Sequence, residues 1–320
     1  MKTALIFGVS GQDGSFLAEF LIKKKYRVVG VSRDVLGKTF SNLIKLGIKD
    51  KIELRSASLN DFRSVLQVIN QENPDEIYNL AGQSSVGLSF NQPVETFESI
   101  SIANLNLLEA IRFLNISGLK LYNAGSSEIY GNTGEKKVDE NFKIKPRSPY
   151  AVAKAAAFWQ VANYREAYKL FVCTGILFNH ESYLRPERFV TQKIIKTACR
   201  IKKGLEQQLS LGNIDIKRDW GWAPEYVDAM WLMLQQEKAD DYIVATGKTY
   251  SLKDFVNVAF STLDMDWEKY VHTDPNLLRP TDIESIYANP EKAENQLKWK
   301  ATITMPEVVR LMIEEEMSNS

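Results

Sequence analysis

Residues 3–18 read Thr-Ala-Leu-Ile-Phe-Gly-Val-Ser-Gly-Gln-Asp-Gly-Ser-Phe-Leu-Ala. The apolar run 4–7 predicts a buried strand, and the stretch 16–25 an amphipathic helix. Between them lie Gly8, Gly11 and Gly14, a GxxGxxG turn. Small residues there let the backbone approach a diphosphate, and a helix N-terminus favours its negative charge. The spacing departs from GxGxxG, but the strand–turn–helix context is the one a dinucleotide requires. The alternative is a glycine turn that holds no ligand.

The alternation continues beyond this unit. Apolar runs at 28–31, 52–54, 76–80, 119–124 and 171–175 predict strands. Stretches at 61–70, 96–114 and 149–168 predict helices, the last opening on Pro149 with Ser148 as its cap. Strands alternating with helices require crossover connections, hence an α/β fold: a Rossmann-type doubly wound parallel sheet. Beyond about residue 178 the pattern loosens, and 178–186 and 211–222 read as binding loops. A helix after Pro224, a strand at 242–245, a helix opened by Ser251 and Asp254, and a helix from near Pro290 follow. The expected division is a dinucleotide-binding domain over 1–175 and a smaller C-terminal α/β substrate-binding lobe over 176–320, with segments exchanged between them.

Composition narrows the function classes. The 320 residues suit one large or two modest domains, and 44% hydrophobic with 25% charged is ordinary for a globular protein. Forty basic residues balance forty acidic ones, so no net field favours nucleic acid or an anionic membrane as partner. Two cysteines, Cys173 and Cys199, make neither a disulfide framework nor a Cys-rich metal site, and no metal is expected. The apolar run near Met1 is too short for a signal-peptide core, and no run is long enough to span a bilayer. The expected location is cytoplasmic.

Chemistry concentrates in three places. After the second strand come Ser32-Arg33-Asp34, where a dinucleotide's ribose would lie. Arg33 suits a 2′-phosphate and NADP, whereas Asp34 suits a 2′-hydroxyl and NAD. The fifth strand ends in Ala124-Gly125-Ser126-Ser127-Glu128. Ligands of open parallel sheets bind beyond such carboxyl ends, so Ser126 is placed to bond a reacting oxygen and Glu128 to act as a base. Tyr150 and Lys154 form the chain's one Tyr-x-x-x-Lys, on one helix face, where the ammonium would lower the phenol's pKa for proton exchange with a sugar hydroxyl. A lone Glu128 would be an exposed turn carboxylate; its company argues otherwise.

These motifs, with 79–93, 147–154, 163–168, 175–182, 189–194 and 211–234, resemble the extended short-chain dehydrogenase/reductases, and within them the GDP-mannose 4,6-dehydratase family. The stretches Phe-Asn-His-Glu-Ser (178–182) and Leu-Gly-Asn-x-Asp-x-Lys-Arg-Asp-Trp-Gly (211–221) are specific to that branch. The resemblance implies that Gly8, Gly11, Gln12, Asp13, Arg33, Leu59, Leu80, Gln83, Ser84, Tyr150, Lys154, His180 and Arg185 contact NADP. Ser126, Glu128, Tyr150 and Lys154 would be catalytic, and Ser85, Asn179, Lys193, Arg218 and Arg279 would hold the nucleotide sugar. His180 is read as a cofactor contact and not a metal ligand; Trp220 and Trp222 are given no chemistry.

The chain departs from the family pattern at four places. Ser126 stands for Thr, which keeps the hydroxyl. Ser32-Arg33-Asp34-Val35 stands for Arg-Arg-Ser-Ser, a stretch that also supports tetramers. Ser58 stands for Asp before Leu59. Ser182-Tyr183-Leu184-Arg185-Pro186 stands for Ser-Pro-Arg-Arg-Gly, beside the sugar. The expected reaction is dehydration of GDP-mannose to GDP-4-keto-6-deoxy-mannose, with GDP-heptose as an alternative substrate. A nucleotide-sugar reductase or 4-epimerase is the rival that needs no Glu128, and an idle NADP-binding regulator would not need Ser126, Tyr150 and Lys154 together. A homodimer built on the helices at 96–114 and 149–168 is expected, a homotetramer being the alternative.

Overall fold

A computed structural model describes residues 1–318. The centre is a seven-stranded, all-parallel sheet. Its first five strands are β1 (Thr3–Phe7), β2 (Arg27–Ser32), β3 (Glu53–Ser56), β4 (Glu76–Asn79) and β5 (Lys120–Ala124). Across the sheet the order is Tyr242–Val244, Phe171–Leu177, β5, β4, β1, β2, β3. Side chains alternate between the faces, as strand geometry dictates. Ala4, Ile6, Tyr78 and Tyr122 enter one core, with Phe16, Leu17 and the helix Ala223–Gln235. Leu5, Phe7, Ile77 and Leu121 enter the other, with the helices Phe62–Glu72 and Ala103–Leu114. Both faces are covered, which explains the uninterrupted apolar runs.

The first helix, α1 (Gln12–Lys23), leaves the glycine turn four residues ahead of the expected start. Gly11 caps it in extended conformation, and Ser15 N donates to Gly11 O at 3.0 Å. Pro149–Tyr168 has the expected bounds, with Ser148 Oγ accepting from Ala151 N at 3.1 Å. The helix expected over 96–114 starts earlier, at Pro93, and passes through a π-turn at Glu98–Ile102 before Ala103–Leu114. Ser251 and Asp254 form the capping box of Leu252–Thr262.

Other expectations are corrected. The stretches read as loops at 178–186 and 211–222 contain strands: Asn179–Glu181 pairs in parallel with Trp220–Trp222. Two- and three-residue strands are too short to show a period. The helix expected near Pro290 shrinks to a π-turn at Ala293–Leu297. The longer helices Val190–Lys202 and Met305–Ser318 form a separate apolar core with Leu252–Thr262. Tyr242–Val244 takes a sheet edge, and Asp241 reaches back with Oδ1 accepting from Thr174 N at 2.7 Å. Among the described residues, no helix is long and apolar enough to cross a membrane.

Candidate active site

The carboxyl ends of β1, β4 and β5 open onto two adjoining cavities. The first, about 610 Å³, lies over the glycine turn. Its floor is backbone brought close by missing side chains. Gly8 has φ +85°, and a Cβ there would lie 2.7 Å from Leu80 O; a Cβ on Gly14 would lie 2.3 Å from Gly8 O. Only glycine fits both places. Gly8, Gly11, Gln12, Arg33 and Leu59 line this cavity, as do Ser58 and Lys38. Asp34 does not: its Oδ1 accepts from Gly37 N at 2.9 Å, closing the turn after β2. The cradle, the helix end and the cations fit a nicotinamide dinucleotide in shape and charge.

The second cavity, about 290 Å³, holds Ser126, Glu128, Tyr150 and Lys154 together with His180, Ser85, Asn179, Arg218 and Arg279. Asp13, Leu80, Gln83, Ser84 and Arg185 line both. Lys193 is the exception. Its Nζ donates to Ser210 O at 2.7 Å, and it lines neither cavity. Its ammonium is anchored to the neighbouring strand Leu209–Leu211, outside the lining of both cavities.

The local fold explains the catalytic geometry. Ser126 caps the 3₁₀ turn Ser127–Tyr130, its Oγ accepting from Glu128 N at 3.3 Å, which fixes the Glu128 backbone just past the end of β5. Glu128 Oε1 lies 3.8 Å from Arg218 Nε. Arg218 is itself fixed, Nη1 donating to Ile283 O at 2.7 Å. Lys154 Nζ donates to Ala124 O at 2.7 Å and lies 5.9 Å from the Tyr150 ring centroid.

The expected lowering of the Tyr150 pKa is corrected. Burial pushes the phenol up to about 12, against a hydrogen bond with Ser126 that pulls it down. Burial likewise pulls the Lys154 ammonium down to about 8, with Asp13 opposing. Desolvation is the largest cause of both shifts.

Three hydrogen bonds latch the glycine turn to the strand Asn179–Glu181. Gln12 Nε2 donates to His180 O at 3.2 Å, Ser182 Oγ donates to Gln12 Oε1 at 2.8 Å, and His180 Nε2 meets Asp13 Oδ2 at 2.9 Å. His180 Nδ1 faces Phe178 O at 2.7 Å. Two acceptors on two ring nitrogens call for the imidazolium. Burial opposes that charge, but Asp13 outweighs it and the His180 pKa is raised. Burial alone would raise Asp13; His180 and further contacts win and hold it at about 2. The paired charges cancel where a diphosphate would otherwise meet a carboxylate. His180 thus acts on the first cavity through Asp13.

The linkage has a definite sign. The raised histidine stabilises the fold below its ordinary 6.5, an effect lost as pH rises through the higher folded value. The depressed Asp13 stabilises above its ordinary 3.8, an effect lost as pH falls toward 2. His180→Gln is therefore expected to lower the melting temperature more at about pH 5.5 than at about pH 9. Equal losses at both pH values, followed by calorimetry, would refute the ion pair.

Arg188, which lines both cavities, and Glu181, buried with Oε2 accepting from Thr191 Oγ1 at 2.7 Å, are site residues that sequence reasoning passes over. Glu181 stands in the quoted Asn-His-Glu, which carried the signal. Lys38 had none beyond its charge.

Comparison with known proteins adds the following. A family model described as GDP-mannose 4,6 dehydratase matches residues 5–312. GDP-mannose 4,6 dehydratase 1 of Arabidopsis thaliana is 43% identical, over 99% of this chain and 90% of its own. GDP-mannose 4,6-dehydratase of Vibrio cholerae serotype O1 is 38% identical, over 100% and 94%. Among solved structures, dTDP-glucose 4,6-dehydratase from Bacillus anthracis in complex with NAD superposes with a TM-score of 0.86 at 18% identity, covering 100% of this chain and 97% of that one. RMD from Pseudomonas aeruginosa complexed with NADPH gives 0.82 at 22%, covering 100% of both. At such identities the structures speak for the fold alone.

Proposed function

Since the chain belongs to the GDP-mannose 4,6-dehydratase family, we propose that its two cavities hold NADP and GDP-mannose, and that it forms GDP-4-keto-6-deoxy-mannose. The observation that carries this reading is a carboxylate, Glu128, in one cavity with Ser126, Tyr150 and Lys154. A reductase or epimerase needs the latter three alone. Held over the glycine turn by Gly8, Gly11 and Gln12, an oxidised nicotinamide dinucleotide would supply a hydride acceptor for C4 and donor for C6, and its ring charge would favour the phenolate.

The chain's own groups move the protons and exclude water. Tyr150, which shares the cavity with Ser126, takes the proton of the C4 hydroxyl. Lys154, tied to Ala124 O, stabilises the resulting phenolate. The C4 ketone acidifies C5–H, and Glu128 removes that proton and passes it to the C6 hydroxyl, which leaves as water. Glu128, reprotonated from solvent, then gives a proton to C5, and Tyr150 releases to solvent the proton it took from the C4 hydroxyl. Arg218, with Nε 3.8 Å from Glu128 Oε1, steadies that carboxylate in the cavity. Groups fixed within one small pocket need little reorganisation between these steps. Incubation with GDP-mannose and, separately, GDP-heptose, read by mass for loss of one water, tests the reaction and its sugar; GDP-mannose returned intact would overturn it.

NADP is favoured over NAD by what faces the ribose end. Arg33 and Lys38 line the cavity, whereas Asp34 is engaged with Gly37. Arg33→Ala is expected to weaken NADP by about 1.5–3 kcal/mol more than NAD. Equal losses in titrations of the two would point to NAD. For the assembly we propose a homodimer through Pro93–Leu114 and Pro149–Tyr168, whose outer faces expose Phe113 (69%) and Trp159 (59%). Cytoplasmic location is part of the same reading.

A further inference from the structure

Four arginines line the catalytic cavity: Arg185, Arg188, Arg218 and Arg279. Three have a carboxylate beside them. Arg185 Nε lies 3.2 Å from Glu181 Oε2, Arg218 Nη2 lies 3.4 Å from Asp282 Oδ1, and Arg279 Nη1 lies 3.5 Å from the same oxygen. Arg188 has neither an ion pair nor a hydrogen bond among the described residues. Its neighbour Glu187 is taken by Lys196 and Arg200. The Arg188 guanidinium lies 5.0 Å from the Phe189 ring centroid, with Arg185 at 3.8 Å from the same centroid.

Arg188 is solvent-exposed, and its position at the junction gives this unneutralised cation a role. Arg188 is on the wall that the two cavities share. The helix Val190–Lys202 starts two residues later, with no acidic residue in its first turn, so its dipole adds to the positive potential. A guanidinium offers a planar fork that matches two phosphate oxygens. We infer that Arg188 is a diphosphate-binding residue at the junction, pairing with the diphosphate of the dinucleotide or with that of the sugar nucleotide. The inference rests on the functional reading above for the identity of those two ligands.

Direct titration of the full-length chain with NADP⁺ and, separately, with GDP tests it. Arg188→Ala is expected to raise the Kd of one of them about tenfold or more, with the melting temperature unchanged. Arg188→Lys should recover part of the loss, since it restores a point charge without the fork. A loss confined to NADP⁺ assigns the cofactor's diphosphate; a loss confined to GDP assigns the substrate's; losses in both place Arg188 between them. Unchanged Kd values in Arg188→Ala would overturn the inference, as would losses accompanied by a fall in melting temperature. A parent chain that dehydrates GDP-mannose while Arg188→Ala binds normally removes this inference alone. A parent that binds both ligands without dehydrating GDP-mannose removes the functional reading, and the Kd ratios still decide Arg188.

Discussion

Glu128→Gln is expected to lower kcat for GDP-mannose by about 10²–10⁴-fold while GDP and NADP⁺ bind nearly as before. The amide keeps the shape of the side chain, and the bond from Glu128 N to Ser126 Oγ is a backbone bond that the change leaves intact. The lost capacity is proton removal at C5. Arg218 stays in place through Ile283 O and Asp282, so the pocket should not collapse. Titration separates binding from chemistry, and rapid quench with mass detection gives kcat. A variant as fast as its parent would take the base role away from Glu128 and leave the pocket without the group that distinguishes a dehydratase from a reductase.

GDP-mannose carrying deuterium at C4 is expected to give a product with that deuterium at C6 and no net reduced nicotinamide in solution. In heavy water, the same product should acquire deuterium at C5, where Glu128 exchanges its proton. Tyr150→Phe should suppress both labels, with turnover down about 10²–10⁴-fold, because the C4 hydroxyl then has no proton acceptor. Reduced nicotinamide released in proportion to product would replace the dehydration with a simple oxidation. The parent should also lose rate above about pH 8, where Lys154 gives up its proton.

The sheet is legible because buried strands such as Ala4–Phe7 and the amphipathic helix after the glycine turn impose different periods. Ser126, Glu128, Tyr150 and Lys154 are legible for a related reason: strand ends and one helix face fix their neighbours before any tertiary contact is known. The substrate side is less readable. Asn179–Glu181 and Trp220–Trp222 are strands only because they pair with each other across some forty residues, and three residues cannot display alternation. Lys193 falls in a motif of the right type, yet Ser210 O holds it elsewhere. The direction of the Tyr150 shift is likewise set by desolvation, which depends on packing from several elements and leaves no mark in Tyr-x-x-x-Lys.

The edge strand Tyr242–Val244 bears on how the chain is made. Six of the seven strands have been synthesised by Leu177, but the outermost neighbour of Phe171–Leu177 leaves the ribosome much later. Until then that edge offers unpaired backbone groups, a template for wrong partners, and Thr174 N lacks the Asp241 carboxylate. The helix Ala223–Gln235, which covers one sheet face beside α1, is late as well. The nascent sheet is therefore born incomplete, and its completion is tied to translation of the segment that follows Trp220–Trp222. Natural selection can retune the intervening segments freely only while the returning strand still reaches its edge.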